Sequence, residues 1–203
     1  MSYLKLISTI ALVAAFSVAP AVAQDSLIPK EHFKIERPVK LSPDEANKVY
    51  DNLIQKMAAG YAQSGNIVAK DFRNWQRENN SPYLSAGHGN RFLNNYSNPK
   101  GEGYLKLRRG EKMPVGAIFA KDSFTVTEDK EIFPGALFIM EKTATGINPK
   151  TDDWRYVMIM PDGSLLGDSN VTGDESMKFC HDCHKRAKSR DFLFLIPKAF
   201  RAR

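Results

Sequence analysis

The sequence predicts an α+β domain whose chemistry sits near its C-terminus, and three observations carry that expectation. An apolar stripe at helical spacing runs from Ala46 to Tyr61. From Arg91 onward the texture changes to short apolar runs separated by turn residues. Late in the 203-residue chain stands Phe179-Cys180-His181-Asp182-Cys183-His184-Lys185. Two cysteines separated by two residues and followed at once by histidine form the c-type haem attachment sequence. The spacing has a geometric reason: one short turn presents both sulfurs to vinyl groups on one side of the macrocycle, and the next residue brings an imidazole nitrogen under the metal. Cys180 and Cys183 are therefore the candidate thioether anchors, His184 is the candidate proximal iron ligand, and haem c is the expected cofactor.

Two other uses of these residues compete. A C-x-x-C redox disulfide needs the βαβ context of a thioredoxin-like domain, which the flanking sequence lacks. A structural zinc site needs four suitably spaced ligands, and outside the motif only His32 and His88 remain.

The chain opens with one positive charge, Lys5, ahead of an apolar run from Leu6 to Phe16, and Ala21-Val22-Ala23 supplies a small-x-small cleavage pattern. Residues 1–23 thus read as a secretory signal peptide, too short in its apolar part to span a bilayer, where about 20 residues are needed. Export fits the motif, because haem is joined to such cysteines outside the inner membrane, and the expected location is periplasmic. Removing the leader takes Lys5 with it and leaves 28 Lys and Arg against 23 Asp and Glu, a formal +5. Only Arg108-Arg109 and Lys185-Arg186 stand as basic pairs, with no aromatic-interleaved run, so nucleic acid is not an expected partner. A mildly basic surface suits an acidic redox partner.

Residues 24–41 are polar and proline-containing and read as an extended lead-in to a single domain over 42–203. Ser42-Pro43-Asp44-Glu45 supplies an N-cap, a proline at the first helical position and a capping-box glutamate. Ala46, Val49, Tyr50, Leu53, Ile54, Met57 and Tyr61 then form one stripe on a helix expected to end near Gly65. Asp71 to Trp75 begins a second, shorter segment, broken by Glu78-Asn79-Asn80-Ser81-Pro82. Strands are expected over 91–96, 115–126, 135–143 and 154–160, the last entering a Pro161-Asp162-Gly163 hairpin turn with Ser164-Leu165-Leu166. Residues 174–186 read as a helix carrying the haem motif, and Phe192 to Ile196 as a closing strand or packed tail.

Strand alternation isolates two charges. Lys121 shares a face with Val115, Ala117 and Phe119, and Glu141 shares one with Leu137 and Ile139. Either both emerge at strand ends as an ordinary ion pair, or they belong to a haem pocket, the lysine near the macrocycle and the carboxylate handling protons.

The pattern Asp71-Phe72-Arg73-Asn74-Trp75, Arg91-Phe92, Gly116 to Asp122, Phe133-Pro134-Gly135, Glu141, Trp154 and the late Cys180-x-x-Cys183-His184 resembles the cytochromes P-460 and their relatives, the cytochromes c′-beta. The resemblance runs from about Asp71 to Pro197 and leaves the 42–65 helix outside. It implies a mainly antiparallel β-sheet with packed helices, a homodimer, and a five-coordinate haem with an open distal side. It also implies that Lys121 occupies the place of the lysine that cross-links to a haem meso carbon. Glu141 matches the distal carboxylate and Arg91 a pocket arginine. The activity implied is oxidation of hydroxylamine, with nitric oxide converted to nitrous oxide, and electrons passed to a soluble acceptor such as a small cytochrome c. Relatives without the cross-link are similar to gas binders for nitric oxide or carbon monoxide, with Phe119 or Phe138 crowding the distal side. A third reading is a His/Met electron carrier using Met113, Met140, Met158, Met160 or Met177.

Overall fold

The structure is a computed structural model that describes residues 35, 37–171 and 175–202. The expected leader, most of the 24–41 lead-in and Asp174 lie outside the described residues.

Helix α1 spans Pro43–Ala62. Its start is fixed as the sequence implies: Ser42 Oγ accepts from the Glu45 amide at 3.3 Å, while the Glu45 carboxylate accepts from the Ser42 amide at 2.8 Å. Ala46, Tyr50, Ile54, Met57 and Tyr61 are buried, and Val49 and Leu53 flank them. A short helix α2, Ile67–Asp71, follows, capped by the Asn66 side chain. The segment expected from Asp71 therefore begins earlier and finishes in a 3-10 turn over Phe72–Asn74.

Among the described residues, eight strands form one antiparallel sheet: β1 (Gln76–Arg77), β2 (Tyr83–Ser85), β3 (Arg91–Ser97), β4 (Ile118–Val126), β5 (Ile132–Pro134), β6 (Leu137–Lys142), β7 (Trp154–Ile159) and β8 (Leu165–Asp168). The order is β1-β3-β4-β6-β7-β8, with β2 pairing β3 and β5 pairing β4. The α+β class with an antiparallel sheet is as predicted. Strand β4 starts at Ile118 rather than Val115 because Gly116 adopts φ +84°, closing a turn in which the Ala117 amide bonds Pro114 O at 3.0 Å. Strands β1, β2 and β5 escape the sequence reading because runs of two or three residues carry no measurable alternation.

Alternation gives the sheet two faces. On one, Phe92, Tyr96, Ala120, Phe124, Leu137, Ile139, Val157 and Ile159 pack against the α1 stripe. Gly60 of α1 meets the Pro161 carbonyl so closely that no Cβ fits between them. On the other face, Leu93, Phe119, Met140, Trp154, Tyr156 and Met158 pack with Met113, Met177, Phe192, Leu193 and Ile196. The segment 192–196 is therefore a packed tail, not a strand. Helix α3, Lys178–His184, continues into a 3-10 stretch over Lys185–Arg190. Among the described residues no helix is long and apolar enough to cross a membrane.

Candidate functional site

The motif cysteines and histidine occupy positions i, i+3 and i+4 of α3, and that spacing brings all three to one helical face. They line a cavity of about 480 Å³ between α3, the C-terminal tail and the second face of the sheet. This volume lies within the range of cofactor pockets. Cys180 and Cys183 are free thiols. Burial, with Cys183 alongside, pushes the Cys180 thiol up to about 12, while Lys121 opposes that rise.

His184 is buried, and its Nδ1 donates to the Phe192 carbonyl at 2.7 Å. That bond leaves the lone pair on Nε2, the arrangement that protein metal sites use to orient a ligating imidazole. Burial and the nearby Lys121 charge hold its proton affinity down at about 4, so the ring is neutral at ordinary pH. The carbonyl it uses is itself held in place. Asp191 and Phe192 adopt φ of +48° and +65°, a left-handed pair. The Asp191 carboxylate is locked by Lys142 Nζ at 2.8 Å and by the Met113 amide at 3.0 Å. Lys142 also lies over the Trp154 ring at 4.9 Å. A buried ion pair thus fixes an unfavourable turn, and the turn aims the carbonyl that aims His184.

Lys121 lies on β4 opposite Asn95 of β3 and Phe138 of β6, and all three side chains line the same cavity. Burial lowers its ammonium to about 8, offset in part by Cys183 and Cys180. Around it stand Phe119, Phe138, Met140, Tyr156, Leu193 and Leu195, a largely apolar wall. Among the described residues, Tyr156 Oη and Asn95 Oδ1 are buried at this wall without a hydrogen-bond partner. Protein interiors rarely leave such atoms unpaired, so the cavity is shaped for something other than its own side chains.

These features fit a haem: two thiols on one face, a pre-oriented imidazole, apolar walls, and unpaired polar atoms on the lining. Two expected residues are elsewhere. Glu141 faces away from the cavity, because the register pairs Lys121 with Phe138 and Ile118 with Glu141. Its carboxylate instead accepts from Arg155 Nη1 at 3.0 Å, and Arg155 also binds Asp168. No carboxylate appears among the described residues that line the cavity. Arg91 donates to Thr125 Oγ1 at 3.1 Å and lines a separate cavity of about 220 Å³. Four residues along β3 from Asn95, it stands about 13 Å from the Lys121 rung at about 3.3 Å per residue. Of the five methionines considered as iron ligands, Met140 alone lines the larger cavity.

The sequence reading gave no haem role to Asp191, Tyr156 or His88. His88 lines the cavity from the turn after β2, and nothing in a Gly-His-Gly tripeptide marks a site. Among the described residues, no three His, Cys, Asp or Glu side chains cluster as a metal site.

No curated protein matches the chain. The family model described as cytochrome P460 matches residues 69–195, more than half of the sequence, beginning after α1. With that match over the sheet, the cavity and α3, the chain belongs to the cytochrome P460 family of haem proteins.

Proposed function

We propose that this is a periplasmic c-type cytochrome that oxidises hydroxylamine at a haem held by Cys180, Cys183 and His184, with Lys121 bonded to the haem edge. The observation that carries the reading is the placement of Lys121 in one cavity with both cysteines and His184. An amine displaced to about 8 has a substantial neutral, nucleophilic fraction at mildly alkaline pH. Such a cross-link would replace one N–H of Lys121 and one meso C–H by an N–C bond, the two protons and two electrons passing to an oxidant of the peroxide class.

The haem supplies the redox chemistry; the chain binds, orients and excludes water. One hydroxylamine and one nitric oxide give nitrous oxide and water with release of one proton and one electron. The electron passes to a soluble acceptor such as a small cytochrome c, and a second copy of the chain completes a homodimer. Glu141 has no part in this reading, since its carboxylate is committed to Arg155 on the opposite face.

One observation favours a second reading, the nitric oxide or carbon monoxide binder. The cavity wall has no carboxylate among its described residues, and Phe119 and Phe138 crowd it. The test is the reduced optical spectrum and hydroxylamine turnover of the holoprotein against Lys121→Ala. A red-shifted Soret band that reverts in the variant, with loss of turnover, supports oxidation. Identical spectra with no turnover in either protein, but retained gas binding, select the second reading.

A further inference from the structure

The positive charge of this chain is gathered on two segments that the fold joins beside the cavity. The loop 106–112 carries Lys106, Arg108, Arg109 and Lys112 against Glu111. The 3-10 stretch Lys185–Arg190 carries Lys185, Arg186, Lys188 and Arg190 with no acid. These eight cations face one carboxylate, whereas the rest of the chain holds 21 Lys and Arg against 22 Asp and Glu, so the formal +6 of the whole resides here. The segments are far apart in sequence. The Gly110 amide joins them by donating to Ser189 O at 2.8 Å, and the Met113 amide by donating to the Asp191 carboxylate at 3.0 Å.

Little within the protein balances the cluster. Glu111 is turned back on its own loop, where its carboxylate accepts from the Arg108 amide at 2.7 Å. Among the described residues, Lys185 is the one member of the eight in an ion pair, with Asp182 at 3.3 Å. All but Arg190 are exposed. Like charges held together repel and lower stability, so packing gives no reason to collect them. At about 0.15 M salt the screening length is about 8 Å, and only cations gathered closely act together on a partner.

This surface borders the cavity. Arg186, itself exposed, lines it and donates through Nη2 to Cys183 Sγ at 3.0 Å. Phe194, 42% exposed, and the exposed Pro197 line the same opening, and the Phe194 ring lies 5.4 Å from that of His184. An apolar opening lets a partner approach closely, while a rim of one charge sign steers and orients it without holding it tightly. We propose that this face, with Arg186 and Phe194 at the cavity and Arg108, Arg109, Lys185 and Lys188 on the joined segments, is the docking surface for a soluble, acidic one-electron carrier protein. This rests on the haem reading above and names where its electrons leave. One electron passes from the reduced haem to the oxidised carrier, and no proton moves. Helix α1, on the opposite side of the sheet, sets Lys48 and Lys56 among Asp44, Glu45 and Asp51 and offers such a carrier no attraction.

The experiment follows oxidation of the reduced, haem-loaded protein by a small acidic cytochrome c and by a small basic one, in stopped flow over a range of salt. It compares wild type with Arg109→Glu/Lys188→Glu and with Lys48→Glu/Lys56→Glu, which change the net charge equally on opposite sides of the sheet. Wild type should react faster with the acidic carrier, and that rate should fall steeply as salt rises. Arg109→Glu/Lys188→Glu should slow it about tenfold at low salt and flatten the salt dependence, against less than about threefold for the α1 pair. Calorimetric titration of the two oxidised proteins, in which no electron moves, should show the same order of affinities, with the haem spectrum alike in all three. Equal slowing by both pairs, or a wild-type rate indifferent to salt and to the carrier's charge, overturns the proposal. A wild-type dimer that Arg109→Glu/Lys188→Glu dissociates in sedimentation also overturns it, since the face then joins two copies of the chain. The assay needs only a reducible haem, so the predicted carrier rates without hydroxylamine turnover overturn the oxidation reading and leave the docking surface standing. Cysteine peptides without haem overturn both.

Discussion

Lys121 and Asp122 are neighbours on one strand and belong to opposite worlds. Asp122 points to the face covered by α1 and is completely buried. It accepts from Tyr50 Oη at 2.6 Å and from Asn94 Nδ2 at 3.1 Å; Tyr50 contacts Tyr96 Oη at 2.5 Å, and Asn94 Oδ1 accepts from Arg77 and Asn79. Lys121 points to the other face, into a cavity where buried polar atoms of Tyr156 and Asn95 find no partner among the described residues. On the α1 face the Asp122 carboxylate and the Asn94 amide are paired internally, with Arg77 Nε left over, whereas the cavity face leaves polar atoms unpaired on the lining itself. The difference teaches where the prosthetic group belongs, because unpaired buried polarity beside an apolar wall is costly unless a ligand completes it.

The largest way to break this contrast acts on the cavity side. Asp191→Asn removes the charge that compensates the buried Lys142 ammonium and loosens the turn that aims His184. Thermal or denaturant unfolding should show a loss of about 3 kcal/mol, the scale for one orphaned member of a buried pair, together with an altered haem spectrum. A stability loss with an untouched spectrum would separate the turn from the histidine.

On the closed face the comparison is sharpened by pH. Burial raises the Asp122 carboxyl to about 6 against the opposing bonds from Tyr50 and Asn94. Its folded proton affinity exceeds its unfolded one, so between about pH 4 and 6 the native state holds more protons and stability falls as pH rises. The displacement corresponds to about 3 kcal/mol, present as a cost above pH 6 and absent below pH 4. Across that window the stability of the wild type relative to Asp122→Asn should fall by that amount as pH rises, the opposite-signed contribution of His184 being common to both proteins, with the haem spectrum of the variant unchanged. Parallel profiles for the two proteins would remove Asp122 as the source.

The smallest expected effect lies at the start of α1. Ser42→Ala removes the side-chain half of the capping box and should cost about 1 kcal/mol with no change at the haem. A spectral change there would mean that the two faces are coupled through the sheet.

These cases also show what the sequence could reveal. Helix α1 was legible because its cap and its 3.6-residue stripe are local, and Cys180, Cys183 and His184 because their function dictates their spacing. The side of the sheet taken by Glu141 was not. Alternation puts Lys121 with Phe119 and Glu141 with Ile139, but only the register, Lys121 opposite Phe138, decides that these are different faces. A shift of one residue would have put Glu141 in the cavity. Asp191 was invisible for a related reason: it lies 7 residues beyond His184 and bears on that ring through a turn whose lock, Lys142 and the Met113 amide, only the folded chain brings together.

The central claim is that the face bearing Lys121 holds a covalent haem. It is tested most directly by mass spectrometry of a proteolytic digest of the protein purified with its haem loaded. The account predicts one species in which haem joins the peptide containing Cys180 and Cys183 to the peptide containing Lys121. Cysteine peptides recovered at their unmodified mass would contradict it.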